Sequence, residues 1–192
     1  MTVLEIAQVG HPVLRERARE VTAEELRSPE VQRLIDDMIE TKRAANGAGL
    51  AANQVFDTHR IAVVEVEAGN PRYPYKPPIH LTVMVNPTLE PVGGETVEIN
   101  EGCLSVPDLR GSVERHVAVR VRYLDRDGVE HDEIRRGLTA GTFQHEVDHL
   151  DGILFLDRVR DPSTFATWDE FDRHHRAAFE ARARALVERV GS

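Results

Sequence analysis

The chain has 192 residues, 41% of them hydrophobic and 30% charged, the proportions of one folded domain rather than a disordered chain. Acidic residues outnumber basic ones, 33 to 24, for a formal net charge of −9. That balance argues against DNA as a partner, because phosphate binding needs clustered Lys and Arg. A single cysteine excludes an intramolecular disulfide framework and fits a reducing compartment. No apolar run reaches the roughly 18 residues of a membrane span, and residues 1–14 show no basic region followed by a long apolar one, so no signal peptide is expected. The chain therefore reads as cytoplasmic, with no membrane partner.

In chain order, Thr22 and Glu25 have the spacing of a capping box, and Ser28-Pro29 places an N-cap before a proline at the first helical position. Val31, Leu34, Ile35, Met38 and Ile39 then fall on one apolar helix face, which fades near Asn46-Gly47. Residues 61–67, 81–85 and 96–100 are short β-branched runs. Between the first two, residues 69–78 are proline-rich and read as an ordered surface loop. Val117, Val119, Val121 and Tyr123 alternate with polar residues, and Asp127-Gly128 turns that strand into a return strand ending near Arg135. Residues 138–150 form a proline-free helix stopped by Gly152. Asp161-Pro162 starts a last helix, over about 162–190, with Phe165, Trp168, Phe171, His175 and Phe179 on one face. The expectation is an α+β fold spanning 1–192 as a single domain, with short antiparallel or mixed sheets around the helix that holds the His145 motif.

The sharpest chemical signal is His145-Glu146-Val147-Asp148-His149. On a helix, positions i and i+4 share a face, so both imidazoles can hold one metal ion, with Glu146 beside it as a proton carrier. The competing reading is a charged, solvated helix face. A catalytic site needs a third ligand. His174 and His175 read as part of a separate helix, whereas Cys103, in Glu101-Gly102-Cys103-Leu104-Ser105, offers a thiolate. A lone cysteine is more often a buried small hydrophobe, but the glycine before it and the turn expected at Val106-Pro107-Asp108 suggest exposed backbone near a functional surface. A third stretch runs Gly47-Ala48-Gly49-Leu50-Ala51-Ala52-Asn53-Gln54. It lacks the third glycine and Lys-Ser/Thr end of a phosphate cradle. It fits either backbone groups that approach a substrate closely, with one amide donor, or a helix end followed by a turn.

Taken together and in this order, the stretches 49–54, 101–105 and 144–149 resemble the peptide deformylase family, as do the flanking His11-Pro12-Val13-Leu14, Asn86-Pro87 and Gly152-Ile153-Leu154-Phe155. The resemblance implies a metal-dependent amidase that removes the formyl group from the N-terminal formyl-methionine of nascent chains. Cys103, His145 and His149 would bind the metal, with water as the fourth ligand, and Glu146 would act as general base and then acid. The Leu104 N–H and the Gln54 amide would donate to the developing oxyanion, and the Gly49 backbone would steady the formyl group. The resemblance implies Fe(II), with zinc, nickel or cobalt as substitutes; ligand softness alone points to zinc. Leu138, Gly141 and Thr142 recur near one helical face with His145 and can wall a methionine pocket, which Arg110 would border by resemblance, and Glu101 would pair with Arg115 behind the site. The alternative enzyme class is a zinc endopeptidase built on the same helix, and a non-catalytic, metal-stabilised interaction protein is a third reading.

The chain departs from the common family pattern at Ala48, where a larger aliphatic is usual, and at Asn53. Gly141 and Thr142 also bear on the pocket's shape rather than on the reaction. The tail carries Arg173, Arg176, Arg182, Arg184 and Arg189, most of them after the large apolar residues. Its final turns are expected to project beyond the core, either as a solvated helix end that complements the dipole or, by resemblance, as a dock for ribosomal RNA.

Overall fold

The early capping signals are used as read. Thr22 Oγ1 accepts from the Glu25 N–H at 3.2 Å while the Glu25 carboxylate accepts from the Thr22 N–H at 2.8 Å, opening α1 (Ala23–Arg27). Ser28 Oγ caps α2 (Pro29–Ala44) through the Val31 N–H. The computed structural model of the chain describes residues 2–70 and 73–192; Pro71 and Arg72 of the expected proline-rich loop lie outside the described residues.

Five strands form one antiparallel sheet in the order β1 (Gly49–Ala51), β2 (Ile61–Val66), β3 (Ile79–Pro91), β6 (Ala118–Leu124), β7 (Glu130–Arg136). Strands β4 (Thr96–Cys103) and β5 (Val106–His116) form a separate hairpin. Helix α3 (Gly137–Leu150) packs on one face of the large sheet, where Ala62, Val64, Met84 and Val121 meet Ala140, Phe143 and Leu150. On the opposite face Leu50, Ile61, Val63 and Val83 meet Ile35, Met38 and Ile39 of α2. Strand β2 is thus covered on both sides, which is why it reads as a continuous apolar run. Each such buried side chain contributes about 1.5–3 kcal/mol. Helix α3 is capped by Asp151, and Gly152 follows at φ +74°, where a Cβ would lie 2.6 Å from the Arg15 carbonyl oxygen. Glycine is required there both by conformation and by space.

The structure corrects four sequence expectations. The turn expected at Val106-Pro107-Asp108 is the start of the long strand β5. Its register against β4 jumps from Gly102↔Arg110 to Cys103↔Val106, so residues 107–109 bulge out, with Asp108 at φ +53°. Strand β3 runs past Val85 through a bulge at Asn86-Pro87, where Asn86 takes φ +52° and its amide bonds both backbone groups of Val21. The proline-rich loop is not purely surface: Tyr75 is buried against Phe179, ring centroids 4.9 Å apart.

The tail is the fourth correction. Asp161 caps only a 3₁₀ turn (Pro162–Thr164); Thr167 caps α5 (Trp168–His174), and α6 (Arg176–Val190) follows a break at His175. The break resets the helical phase, which leaves His175 exposed while Phe171 and Phe179 are buried. The final turns do not project: Ala183 and Leu186 are buried, and Val190 packs beside them. Between α3 and this tail, α4 (Phe155–Arg158) packs Phe155 with Leu14, Val106 and Val113. No helix among the described residues is long and apolar enough to cross a membrane.

Candidate metal centre and active site

His145 and His149 lie on one face of α3 with their Nε2 atoms 3.2 Å apart. Cys103, the last residue of β4, brings its Sγ to 3.2 Å from His149 Nε2. The three candidate ligand atoms all fall within 4.8 Å of one another. The Glu101 carboxylate lies 2.8 Å from His145 Nδ1, so in neutral imidazole Nδ1 keeps the proton and the Nε2 lone pair is aimed at the other two donors. A carboxylate that orients a histidine in this way is a recurrent feature of metal sites. One thiolate and two imidazoles, with room for a fourth ligand, fit a divalent transition-metal ion.

Behind the three donors lies a buried ion network. Arg115 spans Glu101 with two bonds, at 2.8 and 2.9 Å, and reaches Asp148 at 2.6 Å; Arg158 holds the other side of Asp148. Burial opposes ionisation of Glu101, but the Arg115 charge and hydrogen bonds, with His145, hold its carboxyl well below the usual range. The Glu101–Arg115 pair was expected. Asp148 was not, although it stands inside the histidine motif and its place one turn from Gln144 was available to read.

Glu146 is 4% exposed, and its Oε2 has no hydrogen-bond partner among the described residues. Burial raises its pKa to about 7, against the pull of His145 and Lys76. Its carboxylate lies so close to Gly49 that any Cβ there would overlap it, so the glycine of β1 makes room for the acid. Gln54 is oriented by its backbone neighbour: Oε1 accepts from the Ala51 N–H at 2.9 Å, which turns Nε2 toward Ser105 Oγ at 3.0 Å and Cys103 Sγ at 3.5 Å. Leu104 follows Cys103 at the hairpin turn and borders the same cavity.

The expected pocket residues come together around that cavity. Ala48 and Gly49 line one side, and Leu138, Gly141 and Thr142 of α3 another. A Cβ at Gly141 would approach Ile99 Cδ1 to 2.7 Å, so the small residue keeps this wall open. Arg110 borders the cavity and is 1% exposed; Asn100 accepts from its Nε at 2.7 Å and its Nη2 at 3.0 Å. Lining residues missed in the sequence include Ile99 and Asn100 of β4 and, from the proline-rich stretch, Tyr73, Tyr75 and Lys76, whose Nζ bonds Thr142 Oγ1 at 2.8 Å. Two tyrosines at alternate positions in a proline-rich stretch were the available signal.

The "Polypeptide deformylase" family profile matches residues 3–165. A peptide deformylase from Leptospira biflexa is 40% identical over 172 residues, which is 90% of this chain and 96% of that protein. Peptide deformylase 2 from Nostoc sp. is 44% identical over 88% of this chain and 93% of its own. Among solved structures, the Met-Ala-Ser-bound class I type b peptide deformylase from Acinetobacter baumannii superimposes with a TM-score of 0.79 at 43% identity, covering 82% of this chain and 99% of that one. An actinonin complex of the Synechococcus elongatus enzyme gives 0.74 at 32% identity, covering 95% and 90%. With the profile spanning most of the sequence and relatives this similar along almost their whole length, the chain belongs to the peptide deformylase family.

Proposed function

We propose the following division of labour for removal of the N-terminal formyl group from nascent chains, the activity of this family. Cys103, His145 and His149 hold one divalent metal ion. When bound, the ion supplies a Lewis acid that lowers the pKa of water and polarises the formyl carbonyl. Glu146 takes the proton from the attacking water and returns it to the leaving amine. The Leu104 N–H and Gln54 Nε2 donate to the oxygen on which negative charge develops. Gly49 steadies the formyl end, Leu138, Gly141 and Thr142 enclose the methionine side chain, and Arg110 meets the peptide backbone. The single observation that carries this reading is the convergence of a thiol and two imidazoles on one point, beside a buried carboxylate with an unpaired oxygen.

Replacing Glu146 with Ala removes the proton carrier and none of the ligands. Metal content stays at one ion per chain while formate release falls by about 10²-fold or more. Near-normal turnover in that variant would sink the role. An endopeptidase is not favoured, since the relatives are deformylases along almost their whole length.

We assign the native ion as Fe(II), with zinc, nickel or cobalt as working substitutes. A thiolate ligand beside Fe(II) is open to oxidation, so the iron form should lose activity in air faster than nickel- or cobalt-loaded protein; equal survival would argue against the assignment. We further propose that residues 1–192 act as one catalytic domain in the cytoplasm, and that the outer face of α6 meets ribosomal RNA. Arg182 has no carboxylate partner among the described residues, whereas Arg173, Arg176, Arg184 and Arg189 are paired with Glu170, Asp172, Glu180 and Glu95. Those pairs weaken the field, so truncation after Phe179 should reduce ribosome binding modestly and mainly at low salt. Unchanged binding at low salt would remove this role.

A further inference from the structure

Arg110 is an unusual wall for a substrate cavity. It is almost fully buried and, among the described residues, has no carboxylate within ion-pair distance and no hydrogen-bond partner for its Nη1, although the Tyr75 hydroxyl stands beside the guanidinium. Its charge is held instead by aromatic faces from the C-terminal segment: Trp168 lies 4.0 Å and Phe171 4.4 Å from the guanidinium carbon. The same segment is stapled to the Arg110 backbone, with Arg110 N–H to Ala166 O at 2.9 Å and Ala166 N–H to Arg110 O at 3.0 Å. The Trp168 N–H bonds Asp108 Oδ1 at 3.2 Å, tying α5 to the bulge in β5. Phe171 and Phe179 stack edge to face at 5.8 Å, and Phe179 in turn supports Tyr75, a second wall of the cavity. Trp168, Phe171 and Phe179 all lie beyond residue 165, where the family profile ends.

An unpaired N–H on a buried guanidinium is costly unless something accepts from it. The cavity beside it is where the peptide of the proposed reaction would lie, and a peptide carbonyl is an acceptor of the right kind. Resting on the deformylase reading above, we propose that Trp168 and Phe171 are positioning residues for substrate: they clamp Arg110 so that its free N–H is offered to a carbonyl of the bound peptide. The tail then belongs to the substrate site rather than being an appendage to it. Its contribution is to binding, because the hydrogen bonds of Arg110 go to Asn100 and Ala166 and none reaches Cys103, His145, His149 or Glu146.

Steady-state kinetics on formyl-Met-Ala-Ser test the clamp. Trp168→Ala should raise KM by about 5- to 10-fold and leave kcat within about 2-fold, the pattern of lost uniform binding. Trp168→Phe keeps an aromatic face and should return KM to within about 2-fold of the parent. A folded Trp168→Ala protein with unchanged KM would overturn the proposal. So would a fall in kcat at constant KM, which would route the effect through Gly102, packed under Trp168, to Cys103. Trp168 is also the chain's one tryptophan, so its emission reports on the clamp without turnover. Titration of the parent protein with the product peptide Met-Ala-Ser should give a saturable change in that emission; a constant signal at saturating peptide would contradict the clamp. This second readout stands alone if Trp168→Ala does not fold. It also separates the two readings: failure to release formate would count against the reaction, not against the clamp.

Discussion

Strand β5 buries two arginines five residues apart and solves the problem of their charge in opposite ways. Arg115 is compensated by carboxylates, Glu101 on one side and Asp148 on the other. Arg110 has aromatic faces and the amide and carbonyl of Asn100. The first arrangement is closed: its named bonds run between charged partners and through Glu101, which also orients His145. The second is open, with one N–H lacking a partner among the described residues, on a side chain that borders the cavity. A fully paired charge supports the ligand set, and an incompletely paired one is available to recognise something.

The largest effect that would sharpen this contrast is on stability. Arg115→Met leaves the buried Glu101 without its guanidinium and Asp148 with Arg158 alone, so it should cost about 3–5 kcal/mol in urea denaturation and lower metal affinity by about 10- to 100-fold. A loss under about 1 kcal/mol would mean that the network is solvated after all. Arg110→Met leaves no buried carboxylate without its partner, so it should cost only about 1–2 kcal/mol, from two hydrogen bonds and the aromatic contacts. Equal losses at the two positions would erase the distinction drawn here.

A partly exposed ion cluster gives the smallest effect. Glu65 is held by Lys42 at 2.7 Å and Arg43 at 2.8 Å, and their hydrogen bonds and charges lower its carboxyl to about 2. The folded state therefore binds this proton less readily than the unfolded state. Its contribution is complete above the ordinary carboxylate range and is lost as pH falls toward 2. Because Arg43 is half exposed and screened by water, we expect about 1 kcal/mol. Glu65→Gln should flatten this part of the acid-stability profile; an unchanged slope would assign the acid sensitivity to the buried network instead.

How much of this was legible in the sequence depended on whether the information was local. The candidate ligands, Glu146 and Gln54 stand in three short stretches, and the Thr22 capping box, the Ser28 cap and the Asp127-Gly128 hairpin are local as well. Strand β5 was not legible because two of its buried residues are Arg110 and Arg115, so the alternation of apolar and polar residues that marks a half-buried strand is missing. The break at His175 was hidden because aromatic residues on both sides of it imitate one continuous face. The burial of Tyr75 could not be read at all, since its partner Phe179 comes from the other end of the chain.

The central claim is that this chain is a metal-dependent deformylase whose ion is held by Cys103, His145 and His149. The most direct test measures formate release from a formyl-methionyl peptide under anaerobic conditions, with metal analysis of the same sample, for the parent protein and Cys103→Ala. The account predicts one divalent ion per parent chain and stoichiometric formate, with both lost in the variant. Full activity without Cys103, or cleavage of internal peptide bonds without formate, would contradict it.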